Sequence, residues 1–188
     1  RIHQGGTTGY VIIALGIVAA LLSLERFTTL TIMGSKVNAQ TKSATPSDGN
    51  PLGRVLKVYA ENKEVDPETL QLKLDEAILK EQPAINARIA FIKIISMVAP
   101  LLGLLGTVTG MIVTFQAITL FGTGDPKTMA GGISQALMTT VLGLCVAIPT
   151  VLLHSIVQSR SSTVLHILTE QSAGLIAEHA ENAEKAGK

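Results

Sequence analysis

Threonine and glutamine side chains within two long uncharged segments are the residues of this sequence best placed to do chemistry. Thr107 lies in the first of these segments, and Gln135 and Thr140 lie in the second. Hydroxyl and amide groups donate and accept hydrogen bonds, so they can hold water or a carboxylate without carrying a charge themselves. A buried polar group in lipid needs partners, which makes these three residues candidates for lining a shared interior surface.

Small residues lie near Thr107, Gln135 and Thr140 at helical spacing. Positions 103, 107, 110 and 114 step by four, three and four, and positions 136, 140, 143 and 147 step in the same way. Gln135 lies beside the second stripe, with Thr139 one turn further along. The alternative is packing alone, because small residues let helices approach closely in lipid and threonine hydroxyls bond to backbone carbonyls. The secondary candidates for the interior surface are Gly103, Gly110, Thr114, Ala136, Thr139, Gly143 and Ala147.

Other kinds of site find little support. Between residues 94 and 159 the only charged or imidazole side chains are Asp125, Lys127 and His154, and the position of His154 near one end favours an interfacial role over a proton relay. The single cysteine, Cys145, excludes a disulfide framework. A net charge of +1 does not favour nucleic-acid binding. We therefore expect no enzyme activity, no metal and no cofactor.

Membrane-spanning helices are the elements that must carry these residues. Of the 188 residues 47% are hydrophobic and 15% are charged, where a soluble domain has about 25% charge. Uncharged runs cover residues 5–24, 94–121 and 128–159, and about 20 helical residues cross the hydrocarbon layer. The sequence predicts an all-α membrane protein with three transmembrane helices, of which the second and third extend into the cytoplasm as a helical bundle.

The distribution of Lys and Arg predicts the orientation of the spans. Most of these residues lie in 25–93 and after 159, and basic residues favour the cytoplasmic side. We expect a periplasmic end and first span in 1–24, and a cytoplasmic loop with helices in 25–93. A channel domain would follow in 94–159 and a cytoplasmic C-terminal helix in 160–188.

The first cytoplasmic segment contains local helix signals. Residues 34–51, rich in Gly, Ser, Thr and Asn, predict an exposed connection, and residues 52–61 predict a short helix. Asp66 followed by Pro67 predicts an N-cap. Because the apolar phase continues across Pro83, we expect one kinked helix leading into the second span.

The segment after the third span predicts an amphipathic continuation of that helix. Its apolar residues recur about every 3.5 positions; they are Val157, Val164, Leu168 and Leu175. Two alternatives remain open for what covers this stripe: a helical hairpin with residues 67–93 of the same chain, or a bundle shared between subunits.

Two motifs resemble the signature transmembrane helices of the MotA/TolQ/ExbB proton-channel family. They are APLLGLLGTVTGMIVTF at 99–115 and GGISQALMTTVLGLCVAIPTVLLHS at 131–155. The likeness is greatest to ExbB-type biopolymer transport proteins, and Glu25-Arg26-Phe27 after the first span also fits.

The resemblance implies a subunit of a bacterial inner-membrane complex driven by the proton-motive force. It implies a homopentamer that encloses helices of an ExbD-type partner and works through a TonB-type protein on outer-membrane uptake. By motif position, Thr107 and Thr140 correspond to the pore-facing threonines of the family. Long ExbB variants carry a further periplasmic N-terminal domain, and a chain that begins with Arg1 is consistent with a fragment of such a protein.

Gln135 departs from the pattern, because many members of the family have a glutamate at this position. An amide cannot exchange a proton near neutral pH, so the role of that carboxylate does not transfer to this chain. We expect the titrating group to be an Asp on the single helix of the ExbD-type partner, with Thr107 and Thr140 hydrogen-bonding to it or to water. Alternatives are a TolQ-like or flagellar-type stator subunit, and a helical membrane scaffold that conducts no ions.

Overall fold

The computed structural model describes residues 6–43, 45–122 and 126–186. These residues form five helices: α1 (Gly6–Gln40), α2 (Pro51–Glu61), α3 (Pro67–Ile85), α4 (Ile89–Phe121) and α5 (Pro126–Ala186). Three of the helices, α1, α4 and α5, are long and apolar enough to cross a membrane. The predicted all-α membrane protein with three spans is therefore confirmed.

The chain divides into two units. The first, which we call the membrane unit, combines residues 1–25 with 88–155, and the second, which we call the helical unit, combines residues 26–87 with 156–188. In the membrane unit many large apolar side chains are exposed, as expected for surfaces that contact lipid or other helices. The helical unit has a core of buried large aliphatic side chains, among them Leu52, Leu70, Leu74 and Leu168.

Helix α1 is longer than the sequence analysis predicted. It runs to Gln40, and Leu30 and Val37 on its later turns are buried. The Gln40 amide then organises the connection, since Nε2 donates to the Thr45 carbonyl oxygen at 2.8 Å and Oε1 accepts from the Ser47 backbone N–H at 3.1 Å. The expectation of an exposed connection over 34–51 was wrong for its first seven residues, because a buried apolar face outweighs local turn-forming composition.

The expected kinked helix leading into the second span is two helices. Helix α3 ends at Ile85, where the Asn86 backbone N–H donates to the Gln82 carbonyl oxygen at 2.9 Å. Arg88 then adopts φ 62°, a left-handed conformation that no continuing helix permits. The two extended spanning helices are accordingly α1 and α5, and the prediction that the second span continues directly from residue 67 was wrong.

Arg26 supports the end of α3 within the helical unit. Its side chain is buried, and Nη2 donates to the carbonyl oxygens of Ala84 at 3.0 Å and of Ile85 at 2.7 Å. These carbonyls belong to the last turn of α3, which has no intrahelical donors for them. The guanidinium therefore satisfies groups that the break after Ile85 leaves open.

Two local predictions are confirmed. Helix α2 begins at Pro51, one residue before the predicted start, and ends at Glu61 as predicted. Asp66 is the N-cap of α3, and its side chain accepts from the Thr69 backbone N–H at 2.8 Å.

The apolar stripe of α5 after the third span is covered by the same chain. Its buried members are Val157, Ser161, Val164, Leu168 and Ser172. Ser161 Oγ donates to Asn86 Oδ1 at 2.6 Å, and His179 Nε2 lies 2.8 Å from the Val65 carbonyl oxygen. The intramolecular alternative therefore describes the cover of this stripe within one chain, and a bundle shared between subunits stays a prediction.

Candidate functional site

Helices α4 and α5 of the membrane unit touch through their backbones along a line that we call the seam. A methyl group added at Gly103 would lie 2.9 Å from the Thr139 carbonyl oxygen, and one added at Gly143 would lie 2.7 Å from the Ala99 carbonyl oxygen. One added at Gly110 would lie 2.7 Å from the Ala136 methyl carbon. Such spacing is available only to small residues, which is how helices pack closely in a membrane.

The seam contains six of the seven secondary candidates of the sequence analysis, and Ala147 follows them one turn later on α5. Gly110 is partly exposed, and the buried ones are Gly103, Thr114, Ala136, Thr139, Gly143 and Ala147. The spacing in steps of three and four thus marks a contact between two helices of one chain, which is the packing alternative weighed above. A pore-lining role for any of these seven stays a prediction.

Two hydroxyl groups of α5 converge on one carbonyl of α4. Thr139 Oγ1 donates to the Gly103 carbonyl oxygen at 3.1 Å and to the Ala136 carbonyl oxygen at 2.6 Å. Thr140 Oγ1 approaches the same Gly103 oxygen at 3.2 Å. Thr139 is buried whereas Thr140 is half-buried, so only Thr140 combines this interhelical hydrogen bond with an open side.

Thr107 is the other half-buried hydroxyl beside the seam. Its Oγ1 donates to the Leu104 carbonyl oxygen at 2.6 Å, which uses the hydroxyl proton within α4. A hydroxyl oxygen that donates in this way keeps its lone pairs for a further donor. Thr107 and Thr140 can therefore each accept a hydrogen bond from water or from a protonated acid.

Gln135 lies on another side of α5. Its side chain is exposed, and a methyl group added at Gly6 of α1 would lie 2.8 Å from Gln135 Nε2. Five residues along an α-helix rotate a side chain by roughly 140°, which separates Gln135 from the direction of Thr140. The structure does not bring Gln135 together with Thr107 and Thr140.

A concavity of about 240 Å³ lies between α1, α4 and α5, and Gln135 is part of its lining. We call it the threonine cleft, and its polar lining consists of Thr7, Thr8, Thr109, Thr114, Thr139 and Gln135. The sequence analysis did not single out Thr8 or Thr109. A signal was available in the pair Thr7 and Thr8, which lies in the first turn of α1. This turn is expected at the same membrane depth as the end of α4.

Charged and imidazole side chains of the membrane unit lie at or near the ends of its uncharged runs. Arg88 Nη1 and Glu25 Oε2 are 2.8 Å apart and both side chains are substantially exposed. His154 is half-buried and Lys127 is exposed, while Asp125 lies outside the described residues. Within the part of the chain that the structure describes, no group of three His, Cys, Asp or Glu side chains could hold a metal ion.

Comparison with known proteins places these features in a family. The family model described as the MotA/TolQ/ExbB proton channel family matches residues 47–170. A protein of Methanothermobacter thermautotrophicus that carries the name biopolymer transport protein ExbB homolog is 30% identical over 174 residues, which cover 84% of this chain and 62% of that protein.

Two further relatives extend the comparison. A Synechocystis protein with the name biopolymer transport protein ExbB-like 1 is 30% identical over 177 residues, covering 85% of this chain and 70% of that protein. The Tol-Pal system protein TolQ of Pseudomonas aeruginosa is 32% identical over 89 residues, covering 47% of this chain and 38% of TolQ.

The matched region contains both motifs that predicted the resemblance. It includes the seam, Thr107, Thr140 and Gln135, although the chain spans only 62% of the first relative's length. Three apolar helices and these relatives together describe a multi-pass inner-membrane protein. The chain belongs to the MotA/TolQ/ExbB proton channel family, and more closely to its ExbB-like members.

Proposed function

We propose that this chain is a proton-channel stator subunit that couples the proton-motive force to TonB-dependent transport across the outer membrane. Membership of a proton-channel family and the ExbB names of its relatives support the proposal. The observation that carries it is the pair of half-buried hydroxyls, Thr107 and Thr140, beside a seam without charged groups.

The acid in this mechanism comes from a neighbouring protein. The uncharged runs 94–121 and 128–159 contain no Asp or Glu, so apart from His154 near the end of the second run this chain offers hydroxyls, amides and backbone groups at membrane depth. We assign the proton carrier to an Asp on the single spanning helix of an ExbD-type partner. Protonation neutralises that carboxylate and lowers the cost of moving it past an apolar wall.

Thr107 and Thr140 accept hydrogen bonds from the protonated carboxyl or from water beside it in this proposal. Both hydroxyl protons are already used by backbone carbonyls, which leaves the lone pairs of both oxygens available to a further donor. One elementary charge crossing 100 mV releases about 2.3 kcal/mol, which is the energy that the partner helix can convert into movement.

Several copies of this chain enclose the partner helices. We propose a homopentamer, as the family resemblance implies, with a periplasmic N-terminus and a cytoplasmic C-terminus. The concentration of Lys and Arg in 25–93 and after 159 supports this orientation.

The test replaces both hydroxyls and keeps their shape. In the complex of this chain with its partner, we expect the double variant Thr107→Val with Thr140→Val to assemble normally. We expect it to lose most proton flux into vesicles and most TonB-dependent uptake in cells. Valine is close to threonine in shape but cannot hydrogen-bond.

Thr119→Val is the matched control. Thr119 is an exposed threonine of α4 whose hydroxyl donates only to the Phe115 carbonyl oxygen of its own helix, at 2.9 Å. The control should retain flux and uptake. Normal flux in the double variant would contradict the pore assignment, and a fully active complex without any flux would favour the scaffold alternative.

A TolQ-type role is the second candidate, favoured by the match to the Pseudomonas aeruginosa protein. The two roles differ in what the complex energises. Complementation of strains lacking either ExbB or TolQ separates them: restored TonB-dependent uptake supports our proposal, and restored envelope integrity alone supports the TolQ-type role.

A further inference from the structure

The threonine cleft is a polar concavity among the three long apolar helices of the membrane unit. It opens between the first turn of α1, the later part of α4 and the early part of α5. From Gly132 to Thr139 it extends by seven residues of α5, which is about 10 Å along the helix axis. It therefore covers about a third of the roughly 30 Å hydrocarbon layer.

Glycines create the space of the threonine cleft. Gly106, Gly110 and Gly132 are part of its lining. A methyl group at Gly106 would collide with the Thr139 side chain, and one at Gly132 would collide with Thr114 Oγ1. Larger residues at these positions would fill the concavity or push α4 and α5 apart.

Three hydroxyl groups of the cleft can act as hydrogen-bond acceptors. Thr109 Oγ1 donates to the Leu105 carbonyl oxygen at 2.9 Å, Thr114 Oγ1 to the Gly110 carbonyl oxygen at 2.9 Å, and Thr139 Oγ1 to the Ala136 carbonyl oxygen at 2.6 Å. Each of these oxygens keeps lone pairs for an incoming donor. Gln135 adds an amide that makes no hydrogen bond within the part of the chain that the structure describes.

This chemistry suits water and hydrated protons. Oxygen acceptors stabilise donors such as water and hydronium. Among the described residues that line the cleft there is no Lys or Arg that would attract an anion and no carboxylate that would hold a cation tightly. A volume of about 240 Å³ is large enough to hold several water molecules.

The cleft is distinct from the surface that carries Thr107 and Thr140. Neither of these residues lines it, and the seam residues that do line it are Gly110, Thr114 and Thr139. We infer that the threonine cleft is a hydrated vestibule within a single subunit, through which protons enter from the side where α4 ends and α5 begins. The inference rests on the proposed function, because it supplies an entry route for the protons that the partner's Asp accepts.

The first experiment measures hydration independently of proton flux. In a Cys145→Ser background, Thr109→Cys is exposed to a membrane-impermeant methanethiosulfonate with a quaternary ammonium group, applied to the periplasmic side of the intact complex. We expect rapid labelling of Thr109→Cys and slow labelling of Val141→Cys, an exposed apolar position of α5 outside the cleft. Equal, slow labelling of both would overturn the inference.

The second experiment fills the cleft. Thr109→Leu places an apolar side chain in the concavity, and Thr119→Leu places the same side chain on α4 outside it. We expect proton flux to fall about tenfold for Thr109→Leu, as a barrier increase of about 1.4 kcal/mol would cause, and to be unchanged for Thr119→Leu. Size-exclusion chromatography confirms that both variants assemble.

The two experiments separate this inference from the proposed function. Normal flux in an assembled Thr109→Leu complex would overturn the entry route while leaving the channel assignment intact. Absence of flux in the unmodified complex would contradict the proposed function. Labelling of Thr109→Cys would in that case still show whether the cleft holds water.

Discussion

The two units of the molecule hold their helices together by different means. In the membrane unit, α4 and α5 meet at glycines and alanines, and the hydroxyls beside them bond to backbone carbonyls. In the helical unit, large aliphatic side chains are buried and a guanidinium satisfies the end of α3. Lipid provides little hydrophobic driving force between helices, so close backbone contact replaces the burial that stabilises helices in water.

The largest effect should follow from enlarging a residue of the seam. Gly143→Val places side-chain carbon where even a methyl group would lie 2.7 Å from the Ala99 carbonyl oxygen. We expect loss of folded, monodisperse protein after detergent extraction, measured by size-exclusion chromatography.

Gly131→Val is the control for this change. Gly131 is on the same helix, and a methyl group there would have nothing within 4 Å. If both variants behaved alike, close packing at the seam would not be what stabilises the membrane unit.

In the helical unit, shortening a buried side chain should lower the stability. Leu74 is 0% exposed and Leu72, on the same helix, is 67% exposed. We expect Leu74→Ala to lower the free energy of unfolding by about 2–5 kcal/mol, and Leu72→Ala to change it by less than about 0.5 kcal/mol. Thermal unfolding in detergent gives both values, and equal effects would show that α3 is not packed as described.

Removing the guanidinium of Arg26 should have an intermediate effect. Arg26→Met keeps much of the side-chain volume but leaves the Ala84 and Ile85 carbonyl oxygens without their donor. An unsatisfied buried carbonyl costs about 1–3 kcal/mol, which thermal unfolding should detect. Arg26→Lys should recover part of the loss, and full stability of Arg26→Met would show that water satisfies these carbonyls equally well.

The smallest effect concerns the pH dependence of the α3 N-cap. The hydrogen bond from the Thr69 backbone N–H lowers the pKa of Asp66 below its ordinary value. Because the folded pKa is lower than the unfolded one, the stabilisation is complete above the unfolded pKa and is lost as pH falls through the folded pKa. Asp66→Asn keeps a capping oxygen without a titrating group.

Unfolding midpoints measured between neutral pH and about pH 3 should therefore separate the two proteins. The unmodified chain should lose slightly more stability on acidification than Asp66→Asn does. Identical pH profiles would show that the cap contributes no pH-dependent stability.

The sequence predicts the elements of this fold better than their junctions. The three spans were predicted from the lengths of the uncharged runs. The start of α3 was predicted from Asp66, whose carboxylate accepts a hydrogen bond from the first turn of the helix. The continuation of α1 past Gly34 was missed because its cause, burial of Val37, is tertiary. The break before α4 was missed because apolar residues continue at helical spacing on both sides of it. Arg88 adopts the left-handed conformation there, and arginine is not a residue type that predicts this conformation.

The sequence predicted the small residues that meet at the seam but not the arrangement of the polar residues around it. Spacing brought the small residues of α4 and α5 onto matching faces, and they do meet at the seam. Gln135 and Thr140 are five residues apart, and the sequence suggested that they share one surface. On an α-helix their side chains instead point in directions roughly 140° apart. The part played by α1 at the threonine cleft depends on contact between residues more than 90 positions apart, such as Gly6 and Gln135. No single-helix pattern contains that information.

The central claim is that this chain supplies a polar surface without an acid, and the most direct test removes the acid from its partner. Proton flux is measured in vesicles that contain the unmodified chain with an ExbD-type partner whose membrane Asp is replaced by Asn. The account predicts flux at the level of protein-free vesicles, with the complex still assembled. Undiminished flux through that complex would contradict it, because the proton would then be carried by groups of this chain alone.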